Sequence, residues 1–224
     1  EESLRKRGQC TSSRNGKGEG QHHWLEFDNN PKASYLEAFE RPKILVPAIE
    51  DGVEYAPDLD GFYGNDKTSI IVTDEWRYVI GVLNSSLSWW ITRQTFSGKQ
   101  GGFFEFKPMY VSQLPIPAST DTQKNILGSI VDTVLSIRDQ RYEQLINGLV
   151  FELFFPEELH AANIRLFDAC QAACIDNLAT LQGDALAKAA EETAGIIFAN
   201  DHPIYAMLFD LQALEVVRII EGEE

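Results

Sequence analysis

Arg93 and Gln94, followed by Lys99 and Gln100, place two cations and two carboxamides within eight residues. A guanidinium or an ammonium pairs with phosphate oxygens or with a guanine edge, and the side-chain amide of Gln presents the donor and acceptor that match an adenine edge. Asn65 and Lys67 repeat the pairing of amide and cation, and Arg14 and Lys17 add two cations near the start of the chain. The chemistry open to this set is binding, by charge and by hydrogen bonds, with no covalent step. Each of these residue types also decorates solvated loops, so the set acquires meaning only from the elements that present it.

Other chemistries find less support. GKGEG at residues 16–20 has the glycines of a phosphate loop but neither a strand before it nor a helix after it. Pro57-Asp58 opens like a metal-dependent nuclease site, yet no Glu-x-Lys or Asp-x-Lys triplet follows at strand spacing. His22 and His23 have no partners at ligand spacing, so no metal site is read. Adjacent glutamates recur on helical stretches, where they solvate a face. Cys10, Cys170 and Cys174 are too few and too odd for a disulfide framework, and the four-residue step from Cys170 to Cys174 reads as two small core residues on one helical face.

The segment that must position Arg93 to Gln100 runs from Trp76 to Pro117. Val79, Val82, Leu83, Leu87, Trp90 and Ile91 recur at three- and four-residue steps and predict one helix over residues 78–95, with Thr73 as its N-cap. Ser97, Gly98, Gly101 and Gly102 end it in an exposed loop with Lys99 and Gln100 at the tip. Phe104, Phe106, Tyr110 and Val111 then read as a short strand broken by Pro108, before the rigid exit Leu114-Pro115-Ile116-Pro117. Upstream, residues 25–27, 43–49 and 69–72 read as strands, 35–39 as a connection and 55–64 as turns with a short hairpin arm. The class is α+β, a small mixed sheet with one long helix.

After Pro117 the pattern turns wholly helical. Thr120 and Gln123 form a capping box, and apolar steps predict helices near 126–135, 145–153, 157–160, 164–181, 185–198 and 204–220.

KILVPAI at 43–49, TSIIVTDEWRYVIGVLNSSL at 68–87 and KPMYVSQLPIP at 107–117, in this order and spacing, resemble the TaqI-like C-terminal specificity domain. The resemblance covers residues 24–117. EQLINGLVFELFFPEELH at 143–160 is similar to the continuation in type IIG restriction enzymes, which join nuclease, methyltransferase and recognition domain in one chain. The resemblance implies a flexible basic arm or loop at 1–21, a target-recognition domain at 22–117 and a helical scaffold at 118–224. It implies double-stranded DNA as a partner, bound by Arg93, Gln94, Lys99, Gln100, Asn65, Lys67, Arg14 and Lys17. A methyltransferase's Gly-rich cofactor loop and its Asn-Pro-Pro-Tyr motif are missing from these residues. No catalytic residue and no cofactor are therefore expected in this stretch, and the chain, which begins without Met, reads as part of a longer polypeptide. S-adenosylmethionine would belong to an upstream methyltransferase domain of that polypeptide.

The formal net charge of -15 runs against nucleic acid at first sight. Its distribution matters more. Residues 1–116 carry 13 Lys and Arg against 16 Asp and Glu, whereas residues 117–224 carry 6 against 18, so the excess acid sits in the helical half. No apolar run is long enough to cross a membrane and no signal peptide opens the chain, so the reading is cytoplasmic. A second reading from a different class stays open: a helical protein-protein interaction module that binds no DNA.

Overall fold

In the computed structural model, which describes residues 32–65 and 67–222, the apolar run at 43–49 is not one strand. Pro47 cannot donate to a ladder. The run divides into β1 (Lys43–Val46) and β2 (Ile49–Glu50), which join different sheets. β1 lies between β3 (Ala56–Asp58) and β4 (Ser69–Val72), antiparallel to both. Ile44 and Val46 enter the core. Lys43 is opposite Asp58 in register and fully buried, its Nζ 2.7 Å from Asp58 Oδ2. The second sheet has the order β2-β6-β5, with β5 at Ser97–Gly98 and β6 at Phe104–Glu105. All described pairings are antiparallel, so the sheets are not mixed; the class is α+β with a helical C-terminal region. The expected strand at 25–27 lies outside the described residues.

The described residues form two compact units. In the smaller, residues 32–41 with Asp60–Tyr63, the stretch expected to be a connection is helix α1 (Ala33–Phe39). Tyr63 stacks on Phe39 with ring centroids 4.8 Å apart, Tyr35 meets Phe39 edge-on at 5.2 Å, and the Tyr63 hydroxyl donates to Glu40 Oε1 at 2.6 Å.

The larger unit holds Pro42–Leu59 and the described residues from Gly64 onward. Here the single helix expected over 78–95 is two, α2 (Trp76–Leu83) and α3 (Ser86–Thr95). Apolar periodicity continues across the junction, but Asn84 and Ser85 compete with the helical backbone through their side chains. Ser85 Oγ accepts from Ser88 N at 3.2 Å as the N-cap of α3, and donates to Val82 O at 2.7 Å. Ser88 Oγ donates to the same carbonyl at 2.7 Å. Asn84 binds the Tyr55 backbone with both halves of its amide, each at 2.9 Å. Thr73 does not cap α2. Its Oγ1 accepts from Glu75 N at 3.1 Å within the preceding turn, and Glu75 is the N-cap.

Beyond β6, Pro108 does not break a strand; it opens helix α4 (Pro108–Val111), where its missing N–H costs nothing. The Tyr78 hydroxyl donates to Pro117 O at 2.8 Å and fastens the exit to α2. The Thr120-Gln123 capping box forms as expected at the head of α5 (Asp121–Ile137). α6 (Gln140–Phe154), α7 (Pro156–Ala161), α8 (Leu166–Ala172), a 3-10 helix (Ile175–Thr180), α9 (Gly183–Ile197), α10 (Pro203–Leu211) and α11 (Glu215–Glu221) follow. The helix expected over 164–181 is interrupted at Cys174, which is exposed at φ 53°, so Cys170 is a core residue and Cys174 is not. The helix expected over 204–220 is likewise divided, after Leu211.

Two helical glycines set the packing distances. A Cβ on Gly81 of α2 would lie 3.1 Å from Leu127 and Val131 of α5. One on Gly148 of α6 would lie 2.7 Å from Leu166 and 2.8 Å from Leu208. Gly148→Val should therefore destabilise the chain by about 1–3 kcal/mol through overpacking, read as a lower urea midpoint at unchanged slope. The buried Tyr55 hydroxyl has no hydrogen-bond partner among the described residues. Tyr55→Phe should leave stability unchanged or raise it by about 1 kcal/mol in the same titration, because an unmade hydrogen bond carries a desolvation cost; a loss would show that the hydroxyl is bonded in solution.

Candidate nucleic-acid interface

The base of the exposed loop is aromatic. Phe96 ends α3 in an extended conformation and is buried, with Phe106 edge-on at 5.3 Å and Tyr110 at 5.5 Å. Tyr55 meets Phe106 at 5.8 Å, and Trp89 of α3 meets Phe104 of β6 at 5.4 Å, both edge-on. Such pairs contribute about 0.5–1.5 kcal/mol each beyond the area they bury. Together they fix β5 and β6 to the end of α3.

From this base the chain makes a β-hairpin, which the alternation alone did not reveal. Ser97 pairs with Glu105 and Gly98 with Phe104, and β6 is also paired to β2. Lys99 N donates to Phe103 O at 2.7 Å and closes the tip. Gly101 and Gly102 both have φ of +86°, a conformation that other residues adopt only at a cost. Lys99, Gln100 and Phe103 are exposed.

Of the expected site residues, four share this end of the molecule. Gln94 is exposed on the last turn of α3 and Gln100 on the hairpin tip. Arg93 is exposed as well, but its guanidinium lies 5.8 Å from the Trp89 ring centre, and its Nη2 donates to Ile220 O of α11 at 3.5 Å. Lys99 Nζ is 2.9 Å from Glu105 Oε2. Asn65 and Lys67 stand in the turn before β4, which belongs to the other sheet; Asn65 Oδ1 accepts from Lys67 N at 2.9 Å, so that side chain shapes the turn. Arg14 and Lys17 lie outside the described residues.

Sequence reasoning missed Glu105 and Lys107. Lys107 Nζ approaches the same Glu105 oxygen at 3.1 Å. The two ammonium groups hold the Glu105 carboxyl below the usual carboxylate range. The signal was present: Glu105 and Lys107 are two apart, on one face of an extended segment, with Lys99 across a glycine turn.

The arrangement closest to a catalytic one is elsewhere. Buried Glu152 accepts from Phe167 N at 2.9 Å and lies 3.0 Å from His160 Nε2, and Arg165 Nη1 lies 3.3 Å from His160 Nδ1. Arg can only donate, so Nδ1 accepts and Nε2–H faces the carboxylate. Nearby Cys170 is buried, and burial together with Glu152 pushes its thiol up, opposite to the activation a nucleophile requires. These groups cap α8 and tie α6 to it. Among the described residues no group of three or more His, Cys, Asp or Glu is placed to hold a metal ion, and no helix is long and apolar enough to cross a membrane.

Residues 14–116 match the family model of the TaqI-like C-terminal specificity domain. The match takes in both sheets, α2, α3 and the hairpin, and stops at Ile116, before the capping box of α5. No curated protein matches the chain.

Because the Glu105 carboxyl is lowered, its ion pairs should form above the ordinary carboxylate range and be lost only as pH falls through the depressed value. Carboxyl-carbon NMR should place its midpoint below 4.5, and Lys99→Ala should move it upward.

Proposed function

We propose that this chain is the DNA target-recognition part of a restriction-modification enzyme. The observation that carries the reading is the hairpin: a glycine tip bearing Lys99 and Gln100, fixed through an aromatic base to the end of α3, within the stretch that matches a specificity domain. A rigid base is what base-edge readout demands, since hydrogen bonds to a base tolerate little misplacement. Gln94 and Gln100 supply amides suited to adenine edges, and Arg93 and Lys99 supply the charge that docks phosphates. Asn65 and Lys67, with Arg14 and Lys17, extend the DNA-facing set.

The stretch recognises and does not catalyse. Its partners are double-stranded DNA and a methyltransferase domain of the same polypeptide, which would bind S-adenosylmethionine and transfer the methyl group to adenine, with a nuclease joined to it in the manner of type IIG enzymes. The acidic helical half is a scaffold turned away from DNA. Phe209 and Tyr205 are exposed on α10, and this apolar surface supports docking against that neighbouring domain. The enzyme would act in the cytoplasm.

Selection of bound duplexes from a randomised library by the full chain, followed by sequencing, tests the reading. One motif should be enriched. Gln100→Ala should lose about 1–3 kcal/mol on that motif and relax one position, whereas Arg93→Ala should weaken all duplexes alike and reduce the salt slope by about one unit. If the library returns no motif, the protein-interaction reading takes its place.

A further inference from the structure

We propose that Lys99 and Lys107 form a paired clamp for one backbone phosphate of nucleic acid, and that Glu105 is the built-in counter-ion that occupies the clamp until the phosphate arrives. The proposal rests on the reading of the hairpin as the DNA-facing element.

One carboxylate oxygen, Glu105 Oε2, takes both ammonium groups, at 2.9 and 3.1 Å. Two cations that converge on one oxygen define a site for an anionic oxygen. Phosphate presents the same kind of acceptor with more charge. The backbone around the site is fixed. Glu105 sits on the central strand of its sheet, Lys99 closes the hairpin tip through its N–H, and Lys107 is held extended ahead of Pro108. The lysine side chains are 42% and 49% exposed against 22% for Glu105, so the carboxylate lies beneath and the ammonium groups face outward. Each ammonium has three donors, which leaves others for an incoming phosphate.

The carboxylate lowers the charge of the trio from two positive to one. Non-specific affinity for DNA follows the number of phosphates that a protein neutralises, with a slope of about 0.9 per phosphate in log affinity against log salt. Glu105 therefore weakens binding to every sequence equally. Discrimination is left to the amides at the tip. Lys99 is thus assigned to phosphate and Gln100 to base readout.

The test is Glu105→Gln in the full chain, with fluorescence anisotropy of a labelled random-sequence duplex across a range of KCl concentrations. The substitution should tighten binding by about three- to tenfold, the worth of one nearby unit charge in water, and steepen the salt slope by about one unit. Lys107→Ala should do the reverse. Unchanged or weaker binding by Glu105→Gln, with an unchanged slope, overturns the counter-ion role. In the wild-type chain, duplex should also raise the NMR titration midpoint of the Glu105 carboxyl as the lysines turn to phosphate; a fixed midpoint overturns the proposal even if the variant fails to fold. The two readings fail separately. A wild-type chain that binds no duplex, or binds it equally well without Lys99 and Lys107, removes the hairpin from the interface and the clamp with it. Binding that needs both lysines but ignores Glu105 removes the counter-ion alone.

Discussion

Asn84 and Ser85 end one helix and start the next, and the rest of the larger unit is arranged around that break. A continuous helix would have used Ser86 N–H in a bond to Val82 O. In the folded chain Val82 O instead receives Ser85 N and the hydroxyls of Ser85 and Ser88, and Ser86 N donates to Asn147 Oδ1 of α6 at 2.9 Å. Freeing that one donor lets a side chain of the helical half cap a helix of the half that carries the hairpin. Asn84 does the complementary task, serving as a one-residue strand partner for Tyr55. Ser85 and Ser88 are buried, and both hydroxyls are paired with a backbone carbonyl, which is the condition under which burying them is tolerable.

This arrangement also joins what composition separates. Charge divides the chain near Pro117, yet α2 lies on α5 closely enough that a Cβ on Gly81 would press on Leu127 and Val131, and Tyr78 binds the exit segment directly. Arg77 pairs with Asp132, and Lys124 with Glu75, across the same seam. The first pair sets an acid of the helical half against a base of the other half, and the second runs the opposite way.

How much of this was legible depends on whether the deciding contact was local. The capping box at Thr120 and Gln123 is local, and it formed as read. The strand at 69–72 and the class of the fold followed from composition and period. The broken helix was not readable, because the apolar spacing never falters across Asn84 and Ser85; the distant partners at the junction, Tyr55 for Asn84 and Asn147 for Ser86, are far away in sequence. Pro108 was read as a strand breaker when it is a helix opener, a choice that only the following turn decides. For the site, the tip residues were legible from type and glycine spacing. The bond from Arg93 to Ile220 O depends on three-dimensional proximity, which no window of sequence contains, whereas the convergence of Lys99 and Lys107 on Glu105 lay within reach once the glycine turn was read as a hairpin.

The buried pair of Lys43 and Asp58 has a meaning for how such a chain can change. Each side chain makes the other tolerable in a place without water, and removal of one withdraws a buried opposite charge from the other, a loss that commonly costs about 3–5 kcal/mol. That is a large part of the stability of an ordinary domain. An apolar pair of similar volume would fit the same space at little or no penalty, yet any route there by single substitutions crosses a chain that barely folds. The two positions are therefore locked to one another in descent. A change at either position is felt at the other across the register between β1 and β3, whereas the hairpin tip shares no buried charge with the core.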